Sequence, residues 1–378
     1  MKTKMDAFET FGILDYGMFK IIENGKEKVL RSKNYNYHFN KKTGFMAQWG
    51  ETQEQDPGRA PGPVIADIEV LNMCKGPGGK LCNFCYKSNT PKGHYMSFEE
   101  YKELFEKLPK TLTQIAFGAD ADLSLNPDIF KIMEYTREQG VIPNITVADI
   151  NKETAKKLAK ICGAVAVSYY PHAGKDLCLN SVKYLTEAGL DQVNIHFMLS
   201  KETYPLIDDL INDIKNDPRL KKLNAVVFLS LKQKGRGVHY NGCSQQEFQE
   251  VIEKCFNQQI PFGFDSCSAI KFINSLKNLN KQEKLSDEDL KLYIDMSEPC
   301  ESFQQSIYIN ERGLIYPCSF MEKEAWDEKD GRPWNIFEDI NDEIDFLKKV
   351  WFSPRSIDFA ARTKMCHACG EGCSYYKI

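Results

Sequence analysis

Strands and helices alternate along the middle of this chain, and this alternation constrains the fold more than any other feature. Strands of a parallel sheet need long crossover connections, and these are usually helices. At least six such strand–helix units therefore predict an α/β fold whose parallel sheet curls into a partial or full barrel. The predicted strands lie at 63–71, 114–117, 141–147, 164–168, 193–199, 225–229 and 260–264.

The two ends of the chain differ from this middle part. Asn24 and Gly25 stand between two apolar runs, which is a strong signal for a β-hairpin. The last hundred residues are rich in cysteine. We therefore expect an N-terminal β-rich extension at 1–62, a barrel at 63–270 and a small cysteine-rich domain at 271–378.

Composition narrows the class of protein. A net charge of −4 argues against a general polyanion binder, so no nucleic-acid partner is expected. The chain has no run of eighteen apolar residues and no apolar core of a signal peptide near Met1, so a cytoplasmic protein without a membrane partner is expected. Because thiols stay reduced in the cytoplasm, 13 cysteines predict metal binding or catalysis before disulfides.

Three of these cysteines follow the first predicted barrel strand. Cys74, Cys82 and Cys85 form a C-x7-C-x2-C pattern in a glycine-rich loop. Three thiolates on one loop can hold three irons of a 4Fe–4S cluster and leave the fourth iron open. A zinc site is the alternative, but zinc ligands usually come as two close pairs, which this spacing does not provide. The pattern therefore favours an iron–sulfur site.

This segment resembles the signature of the radical S-adenosylmethionine (SAM) superfamily. There, three cysteines follow the first strand of a radical SAM barrel, and the last pair encloses an aromatic residue, here Phe84. The usual spacing is C-x3-C-x2-C, so the longer gap departs from it. Glycines at 76, 78 and 79 would let the longer loop converge. The resemblance implies a SAM-binding 4Fe–4S cluster and a 5′-deoxyadenosyl radical that abstracts a substrate hydrogen.

The resemblance also implies residues that bind SAM. A glycine-rich turn after the second strand binds the methionyl amino group in this superfamily, and Gly118 and Asp120 match it here with a shorter acid. Ser168, at the end of the fourth strand, matches a position that commonly contacts the ribose or carboxylate. Lys232 and Arg236 could pair with the SAM carboxylate or with a substrate acid. A solvated acidic loop, an ordinary serine and a bare basic loop are the alternatives.

Two further residues end the predicted closing strand. Asp265 and Cys267 would face the reaction chamber as base, hydrogen donor or cluster ligand. An ordinary buried thiol is the alternative for Cys267. His196, inside the fifth strand, is expected to have a structural role.

The C-terminal cysteines resemble a second signature. Cys300, Gly313 and Cys318 fit the C-x(9–15)-G-x4-C pattern of the SPASM extension, which carries auxiliary iron–sulfur clusters. The resemblance implies a shortened SPASM domain with at least one auxiliary 4Fe–4S cluster; a zinc knuckle is the alternative. The expected ligands are Cys300, Cys318, Cys373 and one of Cys366 or Cys369.

SPASM-type members mostly modify ribosomally made peptides or proteins, by cross-linking, epimerisation, excision or oxidation. The resemblance therefore implies a peptide or protein substrate and a reductant such as flavodoxin or ferredoxin. Many members bind a leader peptide with an N-terminal winged-helix module, but residues 1–62 are too short and too β-rich for it, so a separate partner protein or an edge strand is expected to bind the leader. Two alternatives remain open: a radical SAM oxidase or lyase acting on a small molecule, and a zinc-stabilised binding protein without catalysis.

Overall fold

The computed structural model describes residues 12–298, 300–322 and 331–368, without the side chains of 365–368. Within these ranges the chain forms two β-sheets, with helices packed on the larger one. Helices of this described part are all too short or too polar to cross a membrane.

The N-terminal sheet is an antiparallel meander of five strands. The predicted hairpin is confirmed, because the side chain of Asn24 accepts hydrogen bonds from the backbone N–H groups of Lys26 and Glu27 at 2.8 and 2.7 Å. The predicted β-rich extension is present. Its strands are β1 (Gly12–Asp15), β2 (Lys20–Glu23), β3 (Glu27–Arg31), β4 (Asn36–Asn40) and β5 (Met46–Trp49).

The larger sheet contains seven parallel strands in chain order, which confirms the predicted α/β fold. They are β6 (Ile65–Glu69), β7 (Gln114–Gly118), β8 (Ile142–Val147), β9 (Ala164–Ser168), β10 (Gln192–Leu199), β11 (Ala225–Ser230) and β12 (Phe262–Phe264).

The C-terminal part of the chain adds three strands to the same sheet. β13 (Ser306–Ile309) pairs in parallel with β6, and β14 (Leu314–Tyr316) and β15 (Trp334–Asn335) follow in antiparallel order. Within the described ranges β12 pairs with β11 alone, so these residues form a partial barrel.

Helices connect the parallel strands. Ser97 and Glu100 have the sequence spacing of a capping box. The box is present at the start of α1, because each of the two side chains accepts from the other's backbone N–H group. For the second helix, the residues Asn126 and Pro127 predict an N-cap followed by the first helical position. The side-chain oxygen of Asn126 does accept from the Asp128 N–H at 2.9 Å, and the regular helix runs from Ile129. The helices are α1 (Phe98–Glu106), α2 (Ile129–Glu138), α3 (Lys152–Ile161), α4 (Lys175–Glu187), α5 (Ile207–Asn216), α6 (Gln245–Gln258), α7 (Ala269–Lys281), α8 (Asp287–Asp295), α9 (Glu343–Phe346) and α10 (Pro354–Ala368).

The two faces of the parallel sheet differ in polarity. Along β10, Ile195 and Phe197 are fully buried, whereas Asn194 and His196 are half-buried. Ser168 of β9 lies opposite His196 in the strand register, so the two share a face. Alternation of this kind places the apolar side chains under the helices and the polar ones inside the curved sheet. The inner face is therefore a polar chamber.

The N-terminal sheet covers the end of the barrel at which the parallel strands begin. The hydroxyl groups of Tyr37 and Thr113 are 3.3 Å apart, and Thr113 directly precedes β7. The ammonium of Lys28 donates to the carbonyl of Leu112 at 2.8 Å. The side chain of Gln192, the first residue of β10, donates to the carbonyl of Thr43. The extension thus shields one end of the chamber and leaves the cysteine loop at the other.

The burial of Lys28 against the barrel predicts that the stability of the fold depends on pH. Burial lowers the pKa of Lys28 to about 8, against an opposing effect of nearby Glu23. Between about pH 8 and pH 10 the unfolded chain then binds more protons than the folded chain, so the Lys28 contribution to stability rises with pH, by up to about 3 kcal/mol. We expect the difference in melting temperature between the wild type and Lys28→Met to shift in favour of the wild type across this range. A difference that stays constant with pH would contradict this expectation.

Candidate active site

The cysteine loop leaves β6 at the C-terminal edge of the sheet. Cys74, Cys82 and Cys85 are all half-buried. Gly76 has a φ of +76°, and a Cβ there would lie 2.1 Å from the carbonyl oxygen of Lys80, so this position requires glycine. The segment between Cys74 and Cys82 therefore folds back on itself as a tight turn and returns the chain to the C-x2-C pair.

The three thiols lie close to one another and to Tyr170. Burial is the main cause that raises the pKa of Cys82 to about 12, and Cys85 and Cys74 contribute to the same shift. Burial also raises the pKa of Tyr170, and all three cysteines add to this shift. No three His, Cys, Asp or Glu side chains within the described ranges converge on a single ion. In a cubane, however, each thiolate binds its own iron, so a donor set of three neighbouring thiols fits such a cluster.

The turn that contains Gly235 and Arg236 packs against this loop and hydrogen-bonds to it. The guanidinium of Arg236 donates to the carbonyl of Cys82 at 2.9 Å and to that of Asn89 at 3.1 Å. Gly235 has a φ of +57°, and a Cβ there would lie 2.4 Å from the carbonyl of Tyr86. Arg236, which the sequence predicts to pair with SAM or a substrate acid, thus hydrogen-bonds the backbone of the cysteine loop.

Asp120 lies beside the first cysteine. Its carboxylate is fully buried, and one oxygen accepts from the N–H groups of Lys75 at 3.2 Å and Ala121 at 2.8 Å. The other oxygen has no hydrogen-bond partner of normal geometry among the described residues. Burial raises the pKa of the group most, and the neighbouring carboxylate of Asp122 raises it as well. The thiol of Cys74 faces this carboxylate. An unsatisfied buried carboxylate oxygen is costly, and a cationic ligand would satisfy it. Gly118, which ends β7, lies two residues before it.

Phe84 and three neighbouring ring side chains form an aromatic group. The ring centroid of Phe84 lies 5.6 Å from that of Tyr170 and 5.8 Å from those of His172 and Tyr240. Tyr170 also interacts with the side chain of Ser168, the predicted SAM-binding serine. The sequence analysis missed these three partners. Tyr170 and His172 come two and four residues after Ser168, the last residue of β9. This position just past a strand end is the sequence signal that could have indicated them as site residues.

Lys232 and Asp265, predicted separately, form an ion pair. The Lys232 side chain is 4% exposed. Burial lowers the pKa of Lys232, but the electrostatic effects of Asp265, Cys267 and Cys318 are larger, so the pKa is raised overall. Burial lowers the pKa of nearby His196 to about 4, with Asp265 opposing, so this imidazole is neutral at pH 7.

Three predicted cysteine sites meet at one cavity. Cys267, Cys300 and Cys318 line a space of about 150 Å³ together with Lys232 and Asp265. Cys366 lies in α10, but its side chain is outside the described part of the chain. Cys369 and Cys373 lie outside the described residues altogether.

A buried charge network that the sequence did not predict joins the cysteine loop to the C-terminal strands. Lys87, two residues after Cys85, is ion-paired with Glu69 at 2.7 Å and with Glu322. The hydroxyl of Tyr308, on β13, contacts all three charged groups. Each of the three charged side chains is 11% exposed or less. The network holds the loop against the strand added beside β6.

Comparison with solved structures identifies proteins of similar fold. The structure of Streptococcus suis SuiB bound to its precursor peptide SuiA superposes with a TM-score of 0.63 at 14% identity, covering 91% of this chain and 89% of SuiB. SuiB bound to S-adenosylmethionine gives a TM-score of 0.59 at 16% identity, covering 83% and 73%. No protein-family profile matches the sequence, and no curated protein matches it. At these identities the likeness concerns the fold, and it confirms the α/β fold with a parallel sheet that the sequence predicts.

Proposed function

We propose that this chain, which shares the fold of SuiB, is a radical SAM enzyme that modifies a ribosomally made peptide or protein. The observation that carries the proposal is the placement of three neighbouring thiols beside the orphaned, buried oxygen of Asp120. Thiolates suit iron, and a buried anion suits the methionyl ammonium of SAM. The likeness to SuiB, solved with SAM and with a precursor peptide, supports the same assignment.

The roles of the residues follow from their positions. Cys74, Cys82 and Cys85 would hold three irons of a 4Fe–4S cluster, and the fourth iron would be left for SAM. Such a cluster, when bound and reduced, supplies the electron that cleaves the sulfonium bond of SAM to methionine and a 5′-deoxyadenosyl radical. Asp120 would accept the amino group of SAM. The aromatic group around Phe84 would line the site and exclude water, which protects a reactive radical.

Arg236 would act on the same site from outside, by holding the cysteine loop through its carbonyls. In the proposed mechanism it is a positioning residue rather than a ligand of SAM. Ser168 would orient Tyr170, whose hydroxyl lies close to the three thiols. Lys232, paired with Asp265, would contribute one buried positive charge to the chamber wall.

A groove beside the last parallel strand supports a peptide substrate. A cavity of about 650 Å³ opens along β12, between α6, α7 and α8. In the described part of the chain β12 pairs with β11 only. An extended peptide can add to such an edge through backbone hydrogen bonds, while side chains fill the adjacent cavity. Glu298 and Glu301 lie at the end of this groove, and burial raises the pKa of both carboxyls, that of Glu301 to about 8, so the pair would offer a cationic side chain at most one negative charge at pH 7.

The proposal is tested by anaerobic reconstitution of the full chain with iron and sulfide. We expect a brown protein that forms 5′-deoxyadenosine from SAM when dithionite is added. Modification is then followed by mass spectrometry on short precursor peptides encoded beside this chain's gene. A colourless protein with stoichiometric zinc would contradict the proposal and favour a zinc-stabilised binding protein. Modification of a small molecule and of no peptide would contradict the substrate class alone.

Asp120→Asn should separate SAM binding from stability. The amide keeps one acceptor oxygen but loses the charge that would pair with the SAM ammonium, and a charge-assisted hydrogen bond contributes about 1.5–3 kcal/mol. We expect SAM to bind about 10- to 100-fold more weakly by calorimetry, while the iron content stays unchanged. The thermal stability of the metal-free chain should stay the same or rise, because a buried unpaired carboxylate is removed.

Asp191→Asn is the matched control, since Asp191 is an exposed residue next to the start of β10. It should leave SAM affinity unchanged. Equal affinities in Asp120→Asn and the wild type would show that Asp120 does not bind the SAM amino group.

A further inference from the structure

We propose that Cys267, at the end of the last parallel strand, is a ligand of the auxiliary iron–sulfur cluster together with Cys300 and Cys318. The inference rests on the proposed function, and it changes the ligand set expected from the C-terminal signature. That signature places every ligand between residues 300 and 373. The structure adds a thiol from the barrel itself.

The geometry carries the proposal. Cys267 lies in the helical turn Ser266–Ser268 just after β12. Cys300 precedes β13, and Cys318 directly follows the hairpin of β13 and β14. These three elements lie in separate parts of the fold, yet their cysteines line one cavity of about 150 Å³. This is roughly ten times the space that one buried water molecule needs, so the cavity has room for a group of several heavy atoms.

The charge around the cavity suits an anionic cluster. Thiolates and bridging sulfides make such a cluster negative, and its burial is favourable only beside compensating positive charge. The ammonium of Lys232 interacts electrostatically with both Cys267 and Cys318. It lies 5.0 Å from the ring centroid of Phe320, which also lines the cavity. A cation is thus buried beside two of the three thiols, at the wall that they share.

A further wall of the cavity belongs to the helix that carries another cysteine. Phe359 and Thr363 of α10 line the cavity. Cys366 comes three residues after Thr363 in the same helix, and its side chain lies outside the described part of the chain. Cys267, Cys300 and Cys318 are therefore the three ligands that the described residues supply.

If Cys267 is a ligand of the auxiliary cluster, the cluster lies beside the reaction chamber. The turn Ser266–Ser268 also contains the hydroxyl of Ser268, which binds Asp265, the partner of Lys232. The auxiliary cluster would then be anchored to the rim of the barrel and held beside the ion pair. It would form part of the chamber instead of lying in a separate domain.

The test uses a background in which the first cluster cannot form. The full chain with Cys74, Cys82 and Cys85 replaced by alanine is reconstituted anaerobically, and we expect about four irons per chain, from one auxiliary cubane. Adding Cys267→Ala should reduce this to about three or fewer and change the electron paramagnetic resonance spectrum of the reduced protein. Cys243→Ala, at a buried cysteine outside the cavity, is the matched control and should keep about four.

Retention of the parent iron content and spectrum in the Cys267→Ala variant would overturn the proposal. If Cys267→Ala does not fold, Cys267→Ser replaces it, because a hydroxyl is close in size and is a harder ligand than a thiolate. A spectrum shifted from that of the background would then support the proposal, and an identical spectrum would overturn it. A background protein without iron would also overturn it, whereas failure of the proposed function is seen separately, as absence of 5′-deoxyadenosine from the wild-type chain.

Discussion

Replacement of Cys74, Cys82 and Cys85 by alanine is expected to abolish formation of 5′-deoxyadenosine and to remove about four irons per chain. The reason is that each thiolate would hold one iron, so their loss removes the electron donor for SAM cleavage. The fold should persist, because the three thiols are half-buried on a loop whose turn is formed by backbone bonds, such as that from the Gly79 N–H to the Gly76 carbonyl. Iron analysis and chromatographic assay of 5′-deoxyadenosine measure both effects.

Cys243→Ala is the control here too, because this thiol is buried in a loop before α6, away from the cysteine loop. It should keep the iron content and the activity of the wild type. Formation of 5′-deoxyadenosine by the triple variant would show that the SAM site lies elsewhere.

Lys87→Met is expected to destabilise the chain by about 3–5 kcal/mol, the usual effect of breaking a buried ion pair from one side. The substitution leaves the carboxylates of Glu69 and Glu322 together at a site where their side chains are 10% and 7% exposed. Methionine fills the space of the lysine stem, so the loss is mainly electrostatic. For a chain of 378 residues that unfolds as one unit, this corresponds to a fall of about 4–6 °C in melting temperature.

The exposed ion pair of Lys156 and Glu153 provides the control. Lys156→Met should change stability by less than about 1 kcal/mol, because solvent screens this pair. Adding Glu322→Gln to Lys87→Met should restore part of the loss, since it removes one of the two facing charges. A Lys87→Met variant as stable as Lys156→Met would mean that the buried network contributes no net stability.

Local sequence patterns predicted much of the fold, because hairpins and helix caps depend on residues that are only a few positions apart. The hairpin at Asn24 and the capping box at Ser97 depend on neighbours two or three positions away, and both are present. The parallel direction of the seven strands followed from their alternation with helices. The side chain of Asn126 also accepts from the Asp128 N–H at the start of α2, whereas its bonds to carbonyls 30 and 56 residues away could not be predicted locally.

Some features of the candidate site could likewise be predicted from the sequence, and others could not. The three cysteines of the loop and Asp120 lie just past strand ends, so the sequence by itself determined that they would share one edge of the sheet. The partners of Arg236, the aromatic ring of Tyr240 and the network around Lys87 were decided only by tertiary structure. β13 pairs with β6 across some 240 residues, which brings Tyr308 to Glu69 and Cys267 to the cavity of Cys300 and Cys318. Such contacts depend on how the strands pack and on which buried charges can be neutralised there, and no local pattern in the chain encodes either.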